Sequence, residues 1–295
     1  MGLQQLAEKE SMKILISIPH VFAPREGSPY SSENEGKRSL KLLALKEATI
    51  GNLERHSSTQ WIHASLGKAK PVVTRELVTG NYIDLTIEVH THPELNQLKT
   101  LPNHKNIRII YHNTGKPMDI PFHASKSTLE QADDYDMVGY MEDDIGILDR
   151  EFFNKIEWMV KSSDEHFAFI PHRCETIPEK GDVILSGDPD GGRPDLFWDT
   201  GEQIKFAWPT GDKIFYRATN PHSGCWFLTK NQAQLIRRYW EEKNWIATFQ
   251  LSGPIEQAGS GLLLPKFHIM KPKPENYQFL MVKHYDCLWK RIPSE

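Results

Sequence analysis

The sequence is poor in cysteine. Its 295 residues include only three, Cys174, Cys225 and Cys287, and these lie far apart. An odd number of widely spaced cysteines does not favour a disulfide framework, and no Cys-x-x-Cys pair indicates a zinc site. These absences favour a reducing compartment, so we expect a cytoplasmic protein, with a position peripheral to a membrane left open.

Long apolar runs and an excess of charge are also missing. No stretch of about 18 apolar residues occurs, so we expect no transmembrane segment. Residues Met1–Ser11 are polar, lack the apolar core of a signal peptide and form a predicted N-terminal extension. The 35 basic and 39 acidic residues give a formal net charge of -4. A nucleic-acid-binding protein is usually strongly basic, so we expect no nucleic-acid partner.

Several functional signatures do not occur. The sequence has no P-loop, no G-x-G-x-x-G fingerprint and no G-x-S-x-G elbow, so a mononucleotide P-loop, a dinucleotide site and a serine hydrolase are unsupported. Gly187–Gly192 has aspartates like a calcium loop but lacks the distal glutamate, and a tight turn is the better interpretation. His90 and His92 alternate at the end of a predicted strand, but no third ligand at motif spacing supports a transition-metal site.

Short apolar runs alternate with helical patterns in the first half of the chain. Strands are predicted at Met12–Ile18, Tyr82–Val89, Ile107–Tyr111 and Asp136–Met141. A helix is predicted from Lys37 to Arg55, with an apolar face formed by Leu40, Leu43, Ile50 and Leu53. The capping-box pattern Ser127–Glu130 predicts the start of a brief helix. This alternation is typical of an α/β protein with a mostly parallel sheet.

The second half is less regular, and we predict no linker before it. Helices are predicted at Asp149–Val160, from Thr229 to about Glu242 and after Gly253-Pro254, with short strands between them. We therefore expect one domain over 12–295. It would have a nucleotide-binding half at 12–148 and an acceptor-binding half at 149–295.

An acidic triplet, Glu142-Asp143-Asp144, follows the predicted strand Asp136–Met141. In open parallel sheets, ligands bind beyond the carboxyl ends of the strands. A hard cation held there by carboxylates can neutralise a diphosphate leaving group. The alternative is that these acids only precede the helix near Asp149, where the helix dipole favours negative charge.

Three motifs downstream carry further polar groups. Asn220–Phe227 is a small polar loop that leads into an apolar segment. Glu256 lies in the first turn of the helix after Gly253-Pro254, where it is either a capping carboxylate or a catalytic acid or base. His284 follows an extended segment near the C-terminus, where it is either a structural residue or a metal ligand.

The order of these motifs resembles that of the GT-A superfamily of glycosyltransferases, over most of Met12–Trp289. The resemblance implies a GT-A-like, Rossmann-type single domain with a mixed, mostly parallel central sheet. Glu142-Asp143-Asp144 would be its DxD motif, although its first acid is Glu142 rather than Asp. Asp144 would be the main metal ligand and His284 the distant one. Imidazole in the ligand set favours Mn²⁺ over Mg²⁺.

The same resemblance suggests roles around the metal. Glu142 would face the ribose or base, and Glu256 would be the acid near the acceptor. The complete set predicted to contact the nucleotide or donor sugar is Pro19, Glu142, Asp143, His222, Ser223 and Gly224. Trp226 and Glu256 are predicted to contact the acceptor. Basic residues predicted on the nucleotide side are Lys37, Arg38, Arg150 and Arg173.

The expected reaction is transfer of a sugar from a nucleoside diphosphate sugar, with a UDP-sugar as first choice. The acceptor would be a hydroxyl group of a glycan, of a lipid-linked molecule or of another compound. Two alternatives remain at this point. A nucleotidyltransferase that makes nucleotide sugars usually has a Gly-rich loop after the first strand, and Pro19–Gly27 is not Gly-rich. The other is a non-catalytic nucleotide- or sugar-binding protein of the same fold.

Overall fold

The computed structural model describes residues 11–28, 31–57, 60–64, 71–76, 83–177, 181–184, 201–218, 221–245 and 253–286. The N-terminal extension up to residue 10, the predicted turn Gly187–Gly192 and Cys287 lie outside these ranges.

The strands are β1 (Met12–His20), β2 (Gln60–Ala64), β3 (Pro71–Glu76), β4 (Ile83–Thr91), β5 (Ile107–Tyr111), β6 (Met137–Met141), β7 (Ile145–Gly146), β8 (Phe167–Phe169), β9 (His172–Ile177), β10 (Gly181–Ile184), β11 (Gln203–Phe206), β12 (Lys213–Arg217), β13 (Cys225–Thr229), β14 (His268–Pro272) and β15 (Met281–His284). The α-helices are α1 (Arg38–Lys46), α2 (Asn52–His56), α3 (Ile120–Glu130), α4 (Phe152–Lys161), α5 (Lys230–Glu242) and α6 (Pro254–Ala258).

A five-stranded central sheet has the order β13-β6-β1-β4-β5. Strands β6, β1, β4 and β5 are parallel, and β13 joins β6 in the antiparallel direction. The predicted α/β fold with a mixed, mostly parallel central sheet is therefore confirmed. Because β13 comes from the second half of the chain, both predicted halves contribute to this one sheet.

Burial on both faces explains why β1 is apolar almost throughout. Ile14, Ile16 and Ile18 are fully buried in one core with Leu45, Ala48 and Leu53 of the helical segment that contains α1 and α2. Leu15 points to the opposite core, which also contains apolar residues of α3 and α5. The helices thus cover the two faces of the sheet.

Two predictions about helices in the first half are wrong in detail. The predicted apolar face of α1 is rotated, because Leu43 is 54% exposed whereas Lys41, Ala44 and Leu45 are buried. The second error concerns the capping-box pattern at Ser127. Helix α3 begins at Ile120, with Pro121 in its first turn, and Ser127 lies near its C-terminal end. The helix predicted from Lys37 to Arg55 is otherwise present, with a π-helical turn at Glu47–Gly51 between α1 and α2.

The second half adds two small sheets, with the orders β10-β9-β15-β7 and β11-β12-β14-β8. The first determines where the C-terminal segment lies. Strand β15 runs parallel to β9 and antiparallel to β7, with His284 opposite Ile145. The residue after Asp144 is therefore paired with His284. Within the described part of the chain, none of the helices has the length and apolar character required to span a membrane.

Candidate active site

The order of the central sheet defines a crevice. From β1 the chain continues to β4 and β5 on one side, and later adds β6 on the other side. The space beyond the carboxyl ends of β1 and β6 is therefore a topological switch point, the usual ligand site of open α/β sheets. His20 ends β1 and the acidic triplet directly follows β6, so both lie at this edge.

His20 and Asp143 join the two strands across this crevice. His20 Nδ1 lies 2.6 Å from Asp143 Oδ2, and its Nε2 accepts the Gln97 backbone N–H at 3.1 Å. Because Nε2 is an acceptor, the Nδ1–H is the group that donates to the carboxylate. The hydroxyl of Thr91, at the end of β4, donates to the His20 carbonyl at 2.6 Å. Three neighbouring strand ends are thus held in a fixed arrangement.

A buried lysine neutralises part of the acidic triplet. Lys41 Nζ lies 2.6 Å from Asp143 Oδ1 and 3.0 Å from Asp144 Oδ2, and the residue is only 5% exposed. Burial opposes its charge, but the two carboxylates outweigh burial and raise the pKa of Lys41 above its ordinary value. Burial likewise opposes the charge of Asp144, yet Lys41 and His284 hold the pKa of Asp144 well below its usual range.

The sequence analysis missed Lys41 and predicted other cations for this place. Lys37 contacts Asp286 at 3.6 Å, and Arg38 pairs with Glu35 near the surface. A signal for Lys41 exists, since it stands three, four and seven residues before Ala44, Leu45 and Ala48 on one helical face. A lysine that begins such an apolar row requires a buried partner of opposite charge.

Asp144 and His284, the two predicted metal ligands, lie close together although they are far apart in the sequence. Asp144 Oδ1 lies 3.7 Å from His284 Nε2, and both residues are buried. His284 Nδ1 contacts Glu175 Oε1 at 2.7 Å. Strand pairing holds this geometry, because β15 lies between β7 and β9 and the Tyr285 backbone N–H donates to the Asp144 carbonyl at 2.9 Å. Glu175 was not singled out from the sequence.

These groups fit a divalent cation that takes two ligands from the protein. Asp144 Oδ1 is buried and has no hydrogen-bond partner. It faces an imidazole nitrogen whose opposite nitrogen is held by a carboxylate, which is the usual support of a metal-ligating histidine. Across the described ranges, no set of three or more His, Cys, Asp and Glu side chains is arranged around an ion position. A cation held here would therefore take its remaining ligands from outside the protein.

Glu142 has a different environment from its two neighbours. Its carboxylate lies 3.5 Å from both Arg173 Nη1 and His222 Nε2. Burial raises the pKa of Glu142 to about 8, with Arg173 acting against this shift and Asp144 adding to it. The raised pKa of Glu142 favours a protonated carboxyl group, which can donate a hydrogen bond, whereas the pKa values of Asp143 and Asp144 are lowered and favour their carboxylates.

The loop before β13 packs directly on Glu142. The Glu142 N–H donates to the Gly224 carbonyl at 2.7 Å. Gly224 has a φ of 68°, and a Cβ there would lie 2.9 Å from Glu142 Oε2, so both backbone conformation and space require glycine. The hydroxyl of Ser223 and the ammonium of Lys271 both donate to the His222 carbonyl, at 2.8 and 2.6 Å.

Asp143 and Pro19, two other residues predicted to contact the nucleotide or donor sugar, make their contacts within the protein. Both oxygens of Asp143 bind protein groups, as described above, so this side chain holds the crevice together rather than offering a free carboxylate to a donor. Pro19 is buried within β1, next to His90 of β4.

Trp226 does not have the surface that its predicted role requires. The side chain is fully buried, its ring is stacked with that of Tyr140, and its indole N–H donates to the Ala258 carbonyl at 3.2 Å. A fully buried ring offers no surface to an acceptor, so direct contact is a wrong prediction. The indole instead supports the C-terminal end of α6, the helix that contains Glu256.

Glu256 lies on the acidic side of the crevice. It is half-buried in the first turn of α6, and its carboxylate bends back beside Gly253. Burial is the main cause of the raised pKa of Glu142 and of Tyr140. The negative charge of Glu256 adds a smaller contribution to both. Among the described residues we find no first-turn amide that donates to this carboxylate.

Comparison with known proteins gives only distant likenesses. No family model matches this sequence, and no curated protein matches it. Among solved structures, residues 1–349 of S. aureus TarS share 11% identity at a TM-score of 0.42, over 93% of this chain and 58% of that one. The chain therefore spans less than two thirds of that structure. The 2-C-methyl-D-erythritol 4-phosphate cytidylyltransferase of Francisella tularensis shares 12% identity at a TM-score of 0.36, over 90% and 92% of the two chains. These likenesses are too remote to distinguish one reaction from another.

Proposed function

We propose that this chain is a glycosyltransferase that moves a sugar from a nucleoside diphosphate sugar to a hydroxyl acceptor and depends on a divalent cation, Mn²⁺ rather than Mg²⁺. The observation that carries the proposal is the pair formed by Asp144 Oδ1 and His284 Nε2, 3.7 Å apart at the switch point of the sheet. A carboxylate and an imidazole that face each other there form the protein's half of a site for an ion bound to diphosphate.

Each residue of the crevice has a separate task in this reaction. A bound divalent cation supplies charge neutralisation to the diphosphate leaving group. Asp144 and His284 hold that ion, and Lys41 and His20 keep the acidic triplet in its orientation. Glu142 faces the ribose or base, and the raised pKa of its carboxyl group favours the protonated form that donates a hydrogen bond.

Glu256 acts on the acceptor side. In an inverting reaction its carboxylate accepts the proton of the attacking hydroxyl group. In a retaining reaction it orients the acceptor instead. UDP-sugars are the first donors to test.

The decisive experiment is a calorimetric titration of Mn²⁺ into the protein with and without UDP, followed by a search for the released product. We expect Mn²⁺ and UDP to tighten each other's binding, because the ion would bind both the protein and the diphosphate. A ligand at about 100 times its dissociation constant should also stabilise the fold by about 2.7 kcal/mol. Absence of coupling would indicate a sugar-binding protein. Release of UDP from a UDP-sugar supports the proposal, whereas release of pyrophosphate from a nucleoside triphosphate and a sugar phosphate would indicate a nucleotidyltransferase.

Glu175 should tune the affinity for the ion without touching it. Its carboxylate lies 2.7 Å from His284 Nδ1, which fixes the ring with Nε2 3.7 Å from Asp144 Oδ1. Loss of such a supporting carboxylate typically weakens metal binding by about 10–100-fold. We expect this loss for Glu175→Ala and a smaller one for Glu175→Gln, whose amide oxygen still accepts a hydrogen bond. Electron paramagnetic resonance of free Mn²⁺ measures both dissociation constants.

The exposed Glu54 provides the matched control, as Glu54→Gln. Circular dichroism and thermal melting must show that the Glu175 variants are folded. Unchanged Mn²⁺ affinity in folded Glu175→Ala would contradict the supporting role.

A further inference from the structure

A second cleft lies outside the crevice, between α4, the turn after β11 and the segment before β15. Its volume is about 490 Å³, and its lining includes Trp208, Tyr277 and Phe279. A volume of this size is in the range of small-molecule sites, about 300–1,000 Å³. None of the residues assigned above to the metal, the donor or the acceptor lines this cleft.

The lining of this cleft contains both aromatic rings and lysine ammonium groups. Phe279 forms the floor and is 7% exposed, with the Trp208 ring 4.9 Å away at 76°. The Lys155 ammonium lies 4.6 Å from the Phe279 ring centroid and that of Lys213 lies 5.9 Å away. Contacts with Asp149 and with the Phe279 carbonyl fix the position of Lys155. The cations are thus held against the rings.

The lining also offers an unsatisfied hydrogen-bond donor. Asn276 Oδ1 accepts the Ile214 N–H at 3.0 Å, but Asn276 Nδ2 is buried and has no hydrogen-bond partner. A buried donor without an acceptor is costly, by about 1–3 kcal/mol, unless water or a ligand supplies one. Gln278 and Thr210 add polar groups at the exposed margin of the cleft.

We propose that this cleft binds a carbohydrate chain at a position remote from the site of transfer. Flat rings pack against the apolar C–H faces of a pyranose, while amide, hydroxyl and ammonium groups bind its hydroxyl oxygens. A purely apolar ligand would leave the polar groups of Lys213, Gln278 and Thr210 facing an apolar surface. Within the lining, Glu275 is the only carboxylate, so a metal ion would find too few ligands.

Any role of the cleft in catalysis rests on the proposed function. The cleft and the crevice are connected by one strand. Phe279 precedes β15 and His284 ends it, and Leu280 between them is extended. Five residues at about 3.3 Å each place the two about 16 Å apart. One sugar ring cannot reach both, but an acceptor chain of several sugars can. Binding at the cleft would then raise the local concentration of acceptor at the crevice.

Affinity electrophoresis of the full chain tests the cleft directly. Native gels would contain soluble starch, xylan, mannan or hyaluronan, and the parent protein should be retarded by at least one of them. Tyr277→Ala should weaken that retardation by about tenfold, which corresponds to about 1.4 kcal/mol, the upper part of the range for one aromatic contact. Gln278→Ala, at the exposed margin, should weaken it without threatening the fold. The matched control is Tyr111→Ala, whose tyrosine is 58% exposed on β5.

The outcomes separate this proposal from the proposed function. Asp144→Asn should be retarded like the parent protein, because the metal pair plays no part in the cleft. If transfer activity is found, Tyr277→Ala should raise the KM for long acceptors while kcat and the KM for a monosaccharide acceptor stay unchanged. A parent protein that no gel retards, or a Tyr277→Ala protein retarded as strongly as the parent, overturns the cleft assignment.

Discussion

Asp144→Asn should abolish metal-dependent nucleotide binding while the protein stays folded. The variant replaces a carboxylate by an amide of nearly equal size at the atom that faces His284 Nε2. An amide oxygen is a weak ligand without charge, so the site would lose its main attraction for a divalent ion. Calorimetry should then show no enhancement of UDP binding by Mn²⁺, in contrast to the parent protein.

The exposed Asp84 of β4 supplies the matched control, because Asp84→Asn makes the same chemical change outside the crevice. Circular dichroism and the melting temperature check the fold of both variants. If Asp144→Asn bound UDP with the same Mn²⁺ dependence as the parent, the metal assignment would have to be abandoned.

Glu256→Gln should reduce the rate of sugar transfer by about 10²–10⁴-fold, the usual contribution of a general base. Binding of Mn²⁺ and UDP should not change, because the proposed ion ligands, Asp144 and His284, lie after β6 and at the end of β15, whereas Glu256 lies on α6. The measurement is kcat with saturating donor, together with the dissociation constant for UDP. In a retaining enzyme the effect on kcat would be smaller and would appear mainly in the KM for the acceptor.

The capping interpretation of Glu256 gives a different result. Loss of a cap would lower the free energy of unfolding by about 0.5–2 kcal/mol and leave turnover nearly unchanged. Glu242→Gln, an exposed carboxylate at the end of α5, is the control for the loss of one negative charge. Near-normal turnover in Glu256→Gln, with a lowered melting temperature, would assign the residue to the helix and not to the reaction.

The sequence predicts the central sheet well because each of its strands is a local pattern. β1, β4, β5 and β6 are continuous or alternating apolar runs, and the alternation with helices requires parallel pairing. Since the acidic triplet follows β6, the sheet topology then places it at the edge where the parallel strands have their carboxyl ends. By contrast, β7 has two residues and exists only because β15 pairs with it, which no local pattern reveals.

The part of the site that could not be predicted depends on contacts between distant segments. Lys41 and Asp143 are 102 positions apart, and His284 and Glu175 are 109 apart. A lysine is counted as polar in any helical pattern, so the buried face of α1 was placed around Leu43 instead. Glu175 lies in a strand whose pairing partner comes from the C-terminus, and its neighbours in the sequence carry no motif.

The ammonium group of Lys41 has a consequence for how the protein folds. In many metal sites the clustered carboxylates repel one another until the ion binds, so that folding depends on the metal. Here the chain itself supplies a counterion, because the Lys41 ammonium forms ion pairs with Asp143 and Asp144. The polypeptide can therefore complete its fold in metal-free surroundings. Under the proposed function, the ion would then enter and leave with each nucleotide and would not be a permanent part of the structure.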